Sequence, residues 1–174
     1  SIAPVVDAIR QLSVDAPALL PRLELVVVGR KTPEQQALLA PLPALGVTFA
    51  DVLYCDHAVA LATMQSADAL LLLLSDLPGA EGVAPAKVFE YLAVRRPILA
   101  VMPEGEIASL VRGAQAGGHY LPTDVAGIAA WIRRLLEESP PAPPAAEAAA
   151  RFERRQLAGQ LTELLTAVTA GGGS

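Results

Sequence analysis

The chain has 174 residues and 18.1 kDa, with 53% hydrophobic, 4% aromatic and 18% charged residues and a net charge of -5. At roughly 100–200 residues per domain this is one domain, or one domain with an appendage, and it is too apolar to be disordered. Mean hydropathy is +0.43, yet the longest uninterrupted apolar run, residues 69–74, falls far short of the roughly 20 residues of a spanning helix. Lys31 and Lys87 are the only lysines of an acidic chain, which argues against a basic face for nucleic acid. Cys55 stands alone beside His57 and His119, so neither an intrachain disulfide nor a zinc site is expected. Ser1-Ile2-Ala3-Pro4 has no basic n-region and no apolar h-region, and a cytoplasmic location is the expectation.

In chain order, helix-length segments and short apolar runs alternate. A helix is expected over Val5 to Leu12, then a strand over Leu23-Glu24-Leu25-Val26-Val27-Val28 ending at Gly29. Pro33, in a position that suits the first turn of a helix, opens a helix to Ala40, followed by a weaker strand at Val47-Thr48-Phe49. His57 to Ser66 is helical, Ala69 to Leu74 is a strand ending at Ser75-Asp76, and Pro85 to Val94 is a helix. Pro97-Ile98-Leu99-Ala100-Val101 is a strand, Gly105 to Ala116 a helix, His119-Tyr120-Leu121 a weak strand, and Val125 to Glu138 a helix capped by Thr123-Asp124. Continuous apolar runs are the mark of parallel strands covered by helices on both faces. The alternation predicts an α/β fold with a doubly wound, mostly parallel, Rossmann-like sheet over residues 1–138. Residues 139–146 are a Pro/Ala-rich linker. Residues 147–169 form a further helix with Phe152, Leu157, Leu161, Leu164, Leu165 and Val168 near one face, and 170–174 are a flexible tail. The terminal helix can dock on its own domain or pair with a second copy to give a homodimer.

Ligands of open α/β sheets bind at the carboxyl ends of the strands. The richest loop there runs from Ser75 through Asp76, Pro78, Gly79, Glu81 and Gly82 straight into the helix at Pro85-Ala86-Lys87-Val88. Free backbone N–H groups at such a helix start favour an anion, Lys87 adds a positive charge, and Glu90 one turn later can accept hydrogen bonds from a sugar diol. A phosphate and a diol at that separation describe a nucleotide. Arg30 and Lys31, directly after a strand end, are further residues within reach of a ligand. For His57, Asp68, Phe89 and Tyr91 the structural readings weigh more: a solvated helix start, a hydrogen-bonding residue before a strand, and core packing for the two aromatics.

The strings Ala67-Asp68-Ala69-Leu70-Leu71-Leu72, Lys87-Val88-Phe89-Glu90-Tyr91-Leu92-Ala93 and Arg96-Pro97-Ile98-Leu99-Ala100 together resemble the donor-binding half of GT-B glycosyltransferases of the group-1, family-4 type. The resemblance runs from the first helix through Glu138, and Leu25 to Gly29 and Gly46 to Phe49 fall in with that half's second and third strands. It implies that Glu90 binds the nucleotide ribose and that backbone from Ala84 to Val88 binds the diphosphate. Asp51 to Tyr54 would then meet the nucleobase edge, without the usual glycine near Ala50-Asp51. Glu81 takes the family's first acidic position, one residue further from Glu90 than the familiar spacing. The implied donor is a UDP- or GDP-sugar, with no metal and no other cofactor. The chain corresponds to the family's donor half after its first strand and the Arg and Lys that clamp the diphosphate, without the acceptor-binding domain. Sugar transfer by this chain alone is therefore not expected. A parent enzyme of this kind would meet its acceptor in the cytoplasm or peripherally at the inner membrane face, in polysaccharide biosynthesis. Half of a GT-B-like nucleotide-sugar epimerase, or a non-catalytic α/β docking module, are the alternatives.

Overall fold

A computed structural model describes residues 1–74 and 87–138. Within these residues the chain runs α1 (Ala3–Asp15), β1 (Glu24–Val28), α2 (Pro33–Leu39), β2 (Thr48–Val52), α3 (His57–Ser66), β3 (Leu70–Leu73), α4 (Lys87–Val94), β4 (Ile98–Val101), α5 (Glu106–Gly113), β5 (Gly117–Tyr120) and α6 (Val125–Glu137). Short 3-10 turns at Pro17–Arg22 and Pro43–Leu45 lead into β1 and β2. The alternation of strand and helix is as the sequence predicts. The linker, the helix at 147–169, the tail at 170–174, and Glu81, Pro85 and Ala86 lie outside the described residues.

Local chemistry accounts for the helix starts. Pro4 sits in the first turn of α1, where its missing N–H removes no intrahelical bond. Thr32 and Gln35 form a capping box at α2: the Thr32 side chain accepts from the Gln35 N–H at 3.2 Å, and the Gln35 side chain accepts from the Thr32 N–H at 2.9 Å. Asp124 accepts from the Gly127 N–H at 2.9 Å and caps α6.

The strands are parallel throughout, but they form two sheets. In one, β1 pairs with β2 from Glu24 opposite Thr48 to Val28 opposite Val52. In the other, the order is β3-β4-β5, with Leu70 opposite Ile98 and Ile98 opposite Gly117. A single continuous sheet was the simpler expectation. Among the described residues, each connection within a sheet contains a helix that returns the chain to the amino end of the next strand, which keeps the strands of each sheet parallel.

Helices cover both faces, as a doubly wound fold requires. On one face α1 packs on α6. There Val5, Val6, Ile9 and Leu12 of α1 join Leu39, Ile128, Ile132, Leu99 and Val101 in one buried cluster, with Leu25, Val27, Leu71 and Leu73 packed against it. On the other face Val88 and Leu92 of α4 and Ile107, Ala108 and Val111 of α5 bury against Leu72, Ile98 and Ala100. Alternate residues of β3 and β4 therefore feed opposite cores, the period-2 rule of a strand. Two glycines allow β5 to fit. A side chain at Gly117 would run into the backbone of Ile98, and one at Gly118 would stand 2.8 Å from the Trp131 ring.

Candidate functional site

The carboxyl ends of β1 and β2 are joined by a charge pair. Gly29, at φ 108, turns the chain in a left-handed conformation open to glycine, while its N–H still bonds Val52 O at 3.0 Å. The turn folds Lys31 back over the strand ends. There its Nζ lies 2.6 Å from Asp51 Oδ1 and donates to Gly29 O at 2.8 Å. The Lys31 side chain is only 5% exposed, whereas that of Asp51 is 41% exposed. The family resemblance implies a nucleobase edge at Asp51, and the sequence sets Lys31 apart as a separate residue within reach of a ligand; the structure brings the two together. Next along the chain, Leu53 and Tyr54 are exposed at 78% and 83%, an apolar and aromatic lip at this edge.

The start of α4 separates the sequence-predicted residues by face. Val88 is fully buried in the second core and Leu92 lies beside it. Lys87 is exposed and Glu90 half-buried. Three residues apart on a helix, Lys87 and Glu90 share a face, so the helix presents one cation and one carboxylate away from its anchoring stripe. Only the backbone of Val88 can meet a ligand, because its side chain is committed to the core. Phe89 and Tyr91 pack against the same core, as the structural reading expects. The Tyr91 hydroxyl donates to Leu71 O at 3.4 Å. Burial pushes the Tyr91 phenol above its usual 10.0, and the neighbouring Glu90 carboxylate pushes it the same way. His57 is exposed at the first residue of α3, and Asp68 is exposed just before β3.

A second polar group, not anticipated from sequence, ties β4, α5 and β5 together. Arg112 grips Glu104 with two hydrogen bonds, at 3.0 and 2.8 Å, and donates to His119 Nδ1 at 2.9 Å. A guanidinium only donates, so Nδ1 accepts and the Nε2–H donates to Met102 O at 3.0 Å. The Arg112 guanidinium holds the Glu104 carboxyl below its usual 4.5, and Glu104 in turn raises Arg112. Glu104 lies before α5, Arg112 in its last turn and His119 in β5, so the three are on different elements and no single local pattern announces them. The capping box at Thr32 was legible as Thr-Pro-Glu-Gln.

Among the described residues no group of three or more His, Cys, Asp or Glu is placed to hold a metal ion, and none of the helices is long and apolar enough to cross a membrane. No protein-family model matches the sequence, and no curated protein sequence matches it either.

Proposed function

We propose that this chain is the donor-nucleotide-binding half of a glycosyltransferase, one that moves a sugar from a UDP- or GDP-sugar to an acceptor. The observation that carries this reading is the face of α4. The Lys87-to-Ala93 string forms a helix that follows β3 in a parallel α/β fold, with Val88 and Leu92 sunk in the core and Lys87 and Glu90 left on the same outer face. A cation at a helix start and a carboxylate one turn later suit a diphosphate followed by a ribose, because the first attracts phosphate charge and the second accepts two hydroxyl hydrogen bonds. In this reading Pro85 and Ala86 belong to the diphosphate-binding backbone, where only Ala86 of the two has an N–H to offer, and Glu81 takes the family's first acidic position. The exposed Leu53-Tyr54 lip, with Asp51 held beside it by Lys31, offers a surface for a base.

Chemistry on the sugar belongs in this reading to the acceptor-binding domain, so the chain alone binds without transferring. A thermal-shift and calorimetric comparison of UDP, GDP and their sugar conjugates tests binding, since a ligand specific to the folded state stabilises by RT ln(1 + [L]/Kd). Glu90→Gln removes a charge-assisted hydrogen bond of roughly 1.5–3 kcal/mol, which is about tenfold to a hundredfold in affinity. Equal affinity of Glu90→Gln and the unaltered chain for the nucleotide would sink the ribose assignment. Sugar transfer by residues 1–174 alone would sink the division of labour. An absence of stabilisation by any nucleotide would favour a docking module.

A further inference from the structure

Uracil and guanine differ in what they offer at the edge remote from the sugar. Guanine presents two adjacent donors there, N1–H and the 2-amino group, beside the O6 acceptor. Uracil presents one donor, N3–H, between two carbonyl oxygens. A carboxylate only accepts, through two oxygens with about four lone-pair sites. It can therefore receive both guanine donors side by side, as it receives the two parallel donors of a guanidinium. Against uracil it takes N3–H with one oxygen and brings the other toward a carbonyl, acceptor against acceptor, and an opposed pair of this kind rejects a ligand.

Asp51 carries such a carboxylate at the end of β2, in register with Val27 of β1. Lys31 Nζ occupies one lone-pair site of Oδ1 at 2.6 Å and donates also to Gly29 O at 2.8 Å. The ammonium is nearly enclosed while the carboxylate is open to solvent, so Lys31 acts as an anchor and Asp51 keeps the outward side. Among the described residues no other ion pair reaches the Asp51 carboxylate, which leaves Oδ2 and the rest of Oδ1 for a ligand. A side chain already held by its neighbour costs little to order on binding. Tyr54, three residues further along, leaves its ring almost wholly exposed. Residues 51–56 read Asp-Val-Leu-Tyr-Cys-Asp, with two carboxylates and no cationic side chain to donate to the two carbonyls of uracil.

We propose that the edge formed by Asp51 and Tyr54 is a guanine-selective subsite, in which the Asp51 carboxylate accepts from N1–H and the 2-amino group while the Tyr54 ring stacks on the base. The choice of base rests on the nucleotide-binding reading and narrows its donor to a GDP-sugar. An aromatic face combined with hydrogen bonds along the Watson–Crick edge is a common way of reading an unpaired base. Every base has a π-face, so stacking on Tyr54 is indifferent to base identity. Discrimination therefore falls to Asp51.

Calorimetry on the 174-residue chain with GDP, UDP and xanthosine diphosphate tests this. Xanthine differs from guanine at position 2, where a carbonyl replaces the amino group. GDP is expected to bind at least about tenfold tighter than either of the others, the ratio that follows from one charge-assisted hydrogen bond. Asp51→Asn exchanges a carboxylate oxygen for an amide N–H donor, which suits the xanthine carbonyl. It is expected to weaken GDP by about tenfold or more, to leave UDP no weaker, and to bind xanthosine diphosphate more tightly than the unaltered chain does. A gain of this kind cannot come from a misfolded variant. UDP bound as tightly as GDP, or more tightly, would overturn the guanine assignment and leave nucleotide binding standing. So would an unchanged GDP affinity in Asp51→Asn, or a parallel loss of all three nucleotides. Binding of none of the three by the unaltered chain would overturn the guanine assignment and the nucleotide reading together.

Discussion

The Lys31–Asp51 pair lends itself to measurement because its two members differ so much in exposure. At 2.6 Å the contact is as short as a charge-assisted hydrogen bond becomes. A fully exposed pair contributes about 0–1 kcal/mol, and breaking a fully buried one costs about 3–5 kcal/mol. With Lys31 at 5% and Asp51 at 41% side-chain exposure, solvent screens the carboxylate but hardly the ammonium. Removing the carboxylate charge leaves a nearly enclosed cation whose remaining contact is Gly29 O. Asp51→Asn is therefore expected to destabilise by about 1–2 kcal/mol, between those two limits. With a urea m-value of about 2 kcal/mol/M, the midpoint moves down by roughly 0.5–1 M. Lys31→Met alone and combined with Asp51→Asn completes a double-mutant cycle, which isolates the pair from the loss of each side chain. A coupling energy near zero, or an Asp51→Asn midpoint unchanged within error, would refute the claim that Asp51 is held by Lys31.

Gly117→Ala is expected to destabilise strongly, by about 3 kcal/mol or more, because its φ is 150 and the added methyl would meet the Ile98 backbone. Gly113→Ala, where nothing lies within 4 Å, is the control and should be neutral or stabilising by a few tenths of a kcal/mol; equal losses at the two sites in urea unfolding would show that the close approach of β5 to β4 is not the cause. The Glu104 carboxyl is held below its usual 4.5 by Arg112. Its contribution to stability is thus complete above that value and lost as pH falls through the lower value of the folded state. Glu104→Gln should make the acid-side loss of stability shallower, as read from unfolding midpoints across pH 3 to pH 6; an unchanged profile would remove Arg112 as the cause.

How much the sequence revealed depends on the range of the interactions that decide each element. The runs Leu70 to Leu73 and Ile98 to Val101 have only apolar residues and end in turn-forming ones, so β3 and β4 are legible within about a residue. The strand β2 extends to Val52, beyond the expected Phe49, because pairing with Val27 and Val28 holds Asp51 and Val52 in the ladder. The strand β5 begins at Gly117, earlier than expected, because Gly117 and Gly118 have poor strand propensity and are placed by β4 on one side and Trp131 on the other. Of the candidate site, the split of α4 into a core stripe and an outer face followed from helical period. The partnership of Lys31 with Asp51 did not, because it depends on β1 and β2 lying side by side, twenty residues apart in sequence.

The packing of α1 on α6 has a consequence for the order of events during synthesis. Val5, Val6 and Ile9 find their full apolar surroundings only once Ile128, Ala129 and Ile132 have been made, more than a hundred residues later. At about 5–20 residues per second, the first helix leaves the ribosome several seconds before its partner exists. That interval exposes an apolar stripe to any chaperone at the tunnel exit, and closure of the long loop between the two helices is a slow, non-local step. The shared core is completed only when α1 meets α6.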